Sequence, residues 1–376
     1  MVQQPRLVSA LLFVLLSAGL GAFHIARTPA LIWDFTVPSL GAVQQTPPAM
    51  EVVFDYTATS GTAHSPALRM GPDGFSILWF DGTRESHEDV VIKQSHFTPS
   101  ESGWTSSPPE EFLNKEALSQ VTAPRQVIWS LGNTIQYGDD PDRALATIVS
   151  VGGWAAASIA RIDLQEGRPT HAAKLSLSPF LNRSHLVRAP TISYRGGGIA
   201  IPAYFELGNS FGTLVRLDAQ GRVRDTRRLS QGRFAIQPTI IPFDARSAVA
   251  LMRNFDDATD RLVATWTADG GQSWTPATLL DVPNPNAPVA AVLLTSGALL
   301  MAFNDSPTDA RILRLAVSHD QGRTWQVTRT FEPDGGNLRY PDMARLPDGN
   351  IVLTYSTGSK RGIRAHVFND AWALGE

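Results

Sequence analysis

Thr267-Ala-Asp-Gly-Gly-Gln-Ser-Trp274 and Ser318-His-Asp-Gln-Gly-Arg-Thr-Trp325 are two copies of one octapeptide, S/T-x-D-x-G-x-x-W, starting 51 residues apart. A recurrence at that spacing implies a repeated structural unit. The chemistry of the octapeptide suits a hairpin turn. The Asp carboxylate accepts from turn N–H groups, the Gly supplies positive φ without steric cost, and the Trp plugs the turn onto the sheet. Asp269, Asp320, Trp274 and Trp325 are therefore expected to hold structure and to do no chemistry.

On either side of these turns a second pattern recurs: strand, tight turn, apolar strand. It runs through Ala67 to Phe80, Thr191 to Tyr204, Val292 to Phe303 and Met343 to Tyr355, with a weaker copy from Thr239 to Arg253. Each has the form of a β-hairpin whose second strand is long enough to be buried. Turn glycines Gly297 and Gly349 are 52 apart, and the interval of 123 between Gly74 and Gly197 leaves room for further units, one of them within residues 125–160. The period predicts an all-β protein, a β-propeller of five to seven four-stranded blades, with a six-bladed β-propeller the best fit. Hydrophobic residues at 43% and charged residues at 18%, with 30 Gly and 26 Pro, agree with a turn-rich globular chain rather than a disordered one.

Other classes are excluded by what the sequence lacks. With no cysteine there are no disulfides or thiolate metal sites, and His87 and His96 lack a third ligand at zinc spacing. A net charge of -3 without a Lys/Arg block argues against nucleic acid. No Gly-rich loop opens a helix, so no nucleotide cofactor is expected, and without thiolates or a third His ligand no metal is expected either.

The first residues differ from the rest. One positive charge lies in Met1 to Arg6, Leu7 to Phe23 is an apolar or small-residue run, and a Pro-punctuated stretch follows. This is the layout of an export signal or a short membrane anchor. The expected organisation is a signal or anchor at 1–26, a linker at 27–50 and a propeller at 51–376, in a protein that is periplasmic or secreted, or held at the inner membrane through residues 7–23.

Several segments resemble the sialidase superfamily, in particular its bacterial BNR-repeat, neuraminidase-like branch. They are His64-Ser-Pro-Ala-Leu68, Leu78 to Val90, Ile236-Gln-Pro-Thr239, Pro283-Asn-Pro-Asn286, Leu338 to Tyr355 and Arg361 to Val367, arranged around the two Asp boxes. The likeness covers about residues 50 to 370. It implies an exo-α-sialidase type of glycoside hydrolysis on terminal sialic or related acidic sugars, with a Tyr nucleophile in place of a carboxylate. A neutral Tyr, deprotonated by a Glu, avoids repulsion by the carboxylate on the sugar's anomeric carbon. Arginines pair with that carboxylate, and an acid protonates the leaving oxygen.

Carried over by position, the resemblance makes Tyr340 the nucleophile and Glu206 its base. Arg253, Arg84 and Arg361 become substrate-binding, and Asp89 is chosen as the acid from a segment that also offers Glu85, His87 and Glu88. Where the family opens its first blade with Arg-Ile-Pro, this chain has His64-Ser-Pro66. His64 is expected either to be a satisfied structural histidine or, with an ordinary value of ~6.5, to bind substrate as a third, pH-dependent cation. Arg311 and Arg314 are the candidates for the remaining arginine. Two other functions compete: a non-catalytic propeller that binds glycan or scaffolds an envelope complex, and a uronate polysaccharide lyase with Tyr340 or His64 as base.

Overall fold

The apolar runs that follow each turn form strands with buried interiors, as in Ala248–Asn254, where Val249 to Met252 are wholly inaccessible, and Leu299–Asn304. The computed structural model describes residues 4–27, 32–37, 40, 47–177, 183–230, 235–256, 259–332 and 335–375. Its strands group into six antiparallel units. Blade 1 spans 62–113, blade 2 spans 130–174 and blade 3 spans 185–228. Blade 4 spans 235–283, blade 5 spans 290–331, and blade 6 spans 339–368 together with Met50–Thr57. Blades 3 and 4 are joined by a single parallel pairing of Phe211 with Ala235. The first strand, Met50–Thr57, lies antiparallel to the last, Gly362–Phe368, from Met50 opposite Phe368 to Thr57 opposite Gly362. The ring is thus closed by strand pairing rather than by a covalent staple.

The hydrophobic clusters sit between blades. Val249 and Leu251 of blade 4 pack with Leu299, Met301 and Phe303 of blade 5, and Ile77 and Trp79 of blade 1 with Val352 and Ile363 of blade 6. At roughly 1.5–3 kcal/mol for each large side chain fully removed from water, these faces are the main stabilising term. Both Asp boxes occupy the expected turns. Asp269 accepts from Gln272 N, Ser273 N and the Thr267 hydroxyl at 2.8–2.9 Å, and Asp320 from Arg323 N, Thr324 N and the Ser318 hydroxyl at 2.8–3.0 Å. Each joins the third strand of its blade to the fourth. In an antiparallel meander that turn lies at the opposite end from the start of the first strand and the end of the second.

Helix Gln4–Arg27 forms a separate unit, Met1–Ile32, and its side chains from Leu11 to Leu16 are 59–72% exposed. Among the described residues no helix is long and apolar enough to cross a membrane. The stretch expected as a linker is partly structural. Residues 28–31, 38–39 and 41–46 lie outside the described residues, but Trp33 begins the propeller unit. Phe35 is wholly buried, stacked on Tyr194 at 5.2 Å, and Trp33 covers the Arg216 guanidinium at 3.9 Å. Phe35 N donates to Ala245 O of blade 4 at 2.7 Å and Thr36 N to Ser193 O of blade 3 at 2.8 Å, so this segment clips two blades together.

Candidate active site

Three innermost strands carry the same irregularity. In blades 1, 4 and 6 the ladder skips two residues, between His64 and Ala67, Ile236 and Thr239, and Arg339 and Asp342. The second skipped residue is always proline, which has no N–H to give the ladder. The first is left-handed: Ser65 at φ 53°, Gln237 at 50° and Tyr340 at 57°. Such backbone costs of order 1–3 kcal/mol per residue and is sustained only where the surroundings enforce it. Here it brings Gln237 and Tyr340 to the wall of one cavity.

That cavity measures about 520 Å³. Tyr340, Arg253, Glu206, Arg339, Lys360 and Glu85 line it, and Leu131, Val149 and Leu186 add apolar surface from blades 2 and 3. Arg253 is the hub. Its Nη1 donates to Tyr340 Oη at 3.2 Å and to Gln237 Oε1 at 2.9 Å, and its Nε donates to Asn286 Oδ1 at 2.6 Å. Gln237 Nε2 donates in turn to Tyr204 Oη at 3.3 Å. Both amide acceptors are neutral, so these bonds orient the guanidinium without cancelling its charge. Arg339 donates to Pro285 O at 3.5 Å through Nη2, and its buried Nε has no partner among the described residues. Burial lifts the Glu206 carboxyl to about 7, against the pull of Arg253 and with the push of Glu85. Glu206 is therefore poised to take or give a proton near neutrality. The lining offers a phenol oxygen, a tunable carboxyl and two guanidinium groups for an anion.

His64 is not a cation of this cavity, contrary to the sequence-based expectation. It is wholly buried, edge-on to Tyr340 with ring centroids 4.4 Å apart and to Phe80 at 5.3 Å. Burial, followed by the charges of Lys360, Arg188, Arg339 and Arg253, holds its proton affinity well below the usual value. Neither ring nitrogen has a hydrogen-bond partner among the described residues. A neutral ring supporting Tyr340 is what remains.

Asp89 is also corrected. It does not line the cavity, being tied into its own loop. Thr83 N donates to its Oδ2 at 3.0 Å, the Thr83 hydroxyl bonds the same oxygen, and His87 Nδ1 lies 2.7 Å from Oδ1. Led by the Thr83 hydroxyl, these partners hold its carboxyl down at about 2, too acidic to carry a proton near neutrality. From the same loop it is Glu85 that reaches the cavity wall, together with Ser86. Arg84 and Arg361 are exposed and stand outside the lining. Arg311 is paired with Asp309 and Arg314 with Asp305, and neither arginine lines the cavity.

Sequence reasoning missed two arginines. Arg339 precedes Tyr340 directly. Arg188 is 3% exposed, donates from Nη2 to Pro341 O at 2.6 Å and places its guanidinium carbon 5.3 Å from the Tyr340 ring centre. It braces the bulge from below. Both obey a spacing visible in the sequence, a proline two positions on, as in Arg188-Ala-Pro190, Arg339-Tyr-Pro341 and His64-Ser-Pro66.

A family profile described as a BNR repeat-like domain matches residues 73–353, well over half of the chain. The chain belongs to this BNR repeat-like family. A sialidase of Micromonospora viridifaciens is 33% identical over 133 residues, which are 31% of this chain and 18% of that sialidase. In that match the BNR repeat-like chain spans less than a fifth of its relative. Among solved structures, Trypanosoma rangeli sialidase in complex with sialic acid superposes with a TM-score of 0.63 at 10% identity, covering 87% of this chain and 60% of its own. A protein of unknown function from Dyadobacter fermentans gives 0.59 at 13% identity over 85% of this chain and 99% of its own. The fold of this BNR repeat-like protein is that of the sialidase propellers.

Proposed function

We propose that this protein is an exported glycoside hydrolase of the exo-α-sialidase type, acting on terminal sialic or related acidic sugars. The observation that carries the proposal is the meeting of Tyr340, Arg253 and Glu206 in one cavity, with the Tyr340 hydroxyl bonded to Arg253 and Glu206 raised to about 7. Arg253 and Arg339 would receive the sugar carboxylate, whose charged oxygens match guanidinium donors. Tyr340 Oη would bond the anomeric carbon while its proton passes to Glu206. Glu85, as the carboxyl of the 83–89 loop that reaches the cavity, would protonate the departing glycosidic oxygen, the role first expected of Asp89. Export rests on the N-terminal apolar run alone.

A lyase using His64 as base gains no support, because the buried imidazole does not face the cavity. The test is a panel of fluorogenic glycosides that includes sialyl and other 2-keto sugar acids. Release of fluorophore from a sialyl or related acidic glycoside supports the proposal. Folded protein inert on every member overturns it, and glycan binding that survives Tyr340→Phe would then identify a binding propeller.

A further inference from the structure

Two charged residues at the cavity are spent on each other. Glu85, from the loop of blade 1, and Lys360, from the loop of blade 6, form an ion pair across the closure of the ring at 2.5 Å, and both line the cavity. Their side chains are 44% and 41% exposed, so water competes with the pair. An exposed pair of this kind changes an equilibrium by roughly a factor of five at most, and it can be exchanged at small cost. The surroundings favour such an exchange. Lys360, Arg339 and Arg253 all line the cavity, so three cationic groups are available to one anion, and Glu85 and Glu206, which also line it, repel each other.

We infer that Lys360 is a substrate-binding residue that leaves Glu85 for the carboxylate of the incoming sugar, and that the released Glu85 then takes up a proton and becomes the acid for the leaving group. The inference rests on the proposed function and adds a cation and a trigger to it. With Lys360 turned to the substrate, Glu85 faces the substrate carboxylate instead of an ammonium, and that charge opposes its ionisation. Arg253 and Arg339, engaged by the substrate, no longer offset this. On its own loop, Arg84 is exposed, and His87, Glu88 and Asp89 are occupied by Asp89, Lys115 and Thr83 respectively. Protons and bonds balance in the reaction that follows. Tyr340 Oη forms the bond to the anomeric carbon and gives its proton to Glu206, the anomeric C–O bond breaks, and the leaving oxygen takes the Glu85 proton. Water then displaces Tyr340, giving one proton back to Glu85 while Glu206 returns its own to the phenolate.

The experiment is calorimetric titration of the full chain with the sialic acid analogue DANA at a pH of about 5.5, in buffers of different ionisation enthalpy. At that pH Glu206, at about 7, already carries its proton and cannot take up another. The wild-type protein is expected to take up most of one proton per DANA bound, Glu206→Gln to do the same, and Glu85→Gln to take up none. Lys360→Gln is expected to bind DANA about tenfold more weakly, with Lys360→Arg retaining affinity. In turnover, Glu85→Gln is expected to slow an alkyl sialoside by about 10²-fold or more and an activated aryl sialoside far less. DANA bound without proton uptake, or uptake that persists in Glu85→Gln, overturns the exchange and leaves the proposed function standing. Absence of DANA binding by folded wild-type protein counts against both.

Discussion

Glu206 shows how burial and function are set against each other in one side chain. Its carboxyl is raised from 4.5 to about 7, so between those values the unfolded chain loses a proton that the folded one keeps, and stability falls as pH rises through that window. Glu206→Gln is expected to gain stability over wild type above about pH 7 and to gain nothing below about 4.5, in urea denaturation at each pH. The same substitution is expected to remove the acid limb near pH 7 from kcat/KM, because only the ionised carboxylate can take the proton of Tyr340. His64 offers the opposite test. His64→Arg would place a buried cation beside Lys360, Arg188, Arg339 and Arg253, and is expected to cost about 3–5 kcal/mol or prevent folding, whereas His64→Phe is expected to stay within about 1.5 kcal/mol of wild type. Equal stabilities for the two variants would mean that the site accommodates a cation, against the account of a position that enforces neutrality. Glu206 and Arg253 were legible in the sequence as polar residues at the ends of apolar strands whose phase the turns reveal, whereas Tyr340 was singled out by the family resemblance alone. The error over His64 had a physical cause. A histidine in place of an arginine has the right sign of charge only if water reaches it, and exposure is not written in a local motif.

Blade 4 carries both devices, the Asp box at one end as structure and the bulge at the other beside the cavity. Asp320 is held down at about 2, with the Thr324 hydroxyl first among its favourable partners, so its stabilisation is present above its ordinary value of 3.8 and lost as pH falls through about 2. Asp320→Ala is expected to lower stability by about 1–2 kcal/mol, through the turn N–H groups it leaves unpaired, with kcat/KM unchanged. A large loss of activity at constant stability would show that the Asp box acts on the site. The bulges were less legible than the boxes. A proline inside an apparent strand signals an interrupted ladder, but that the preceding residue is turned left-handed and aimed at the channel depends on the neighbouring blades, as with Arg188 clasping Pro341 O under Tyr340. Arg339 was overlooked for the same reason. Ordinary strand alternation would have sent it and Tyr340 to opposite faces, and the bulge places both at the cavity.

At the scale of the molecule, six blades are held in a ring by one strand pairing and by apolar faces between neighbours, with residues 33–36 as an extra clip on blades 3 and 4. Phe35→Ala is expected to cost about 3–5 kcal/mol and to speed hydrogen exchange in blades 3 and 4 before the others. Uniform exchange across all blades would contradict a local clip. The propeller was readable from turn spacing, which left five to seven blades open with six the best fit, because most blades repeat one hairpin. The clip was not, because a short Trp-Asp-Phe among prolines looks like any linker until the groove that receives it is known. The ring's purpose in this protein is to bring loops distant in sequence, around residues 85, 206, 253, 340 and 360, to one cavity. Whether that cavity makes a glycosyl–tyrosine bond is tested most directly by incubating the protein with a sialosyl fluoride that carries a second fluorine beside the anomeric carbon, followed by peptide mass spectrometry. The expected result is one sugar adduct on Tyr340, absent in Tyr340→Phe. Fluoride release with no adduct at Tyr340, or an adduct on a carboxylate, would contradict a tyrosine nucleophile.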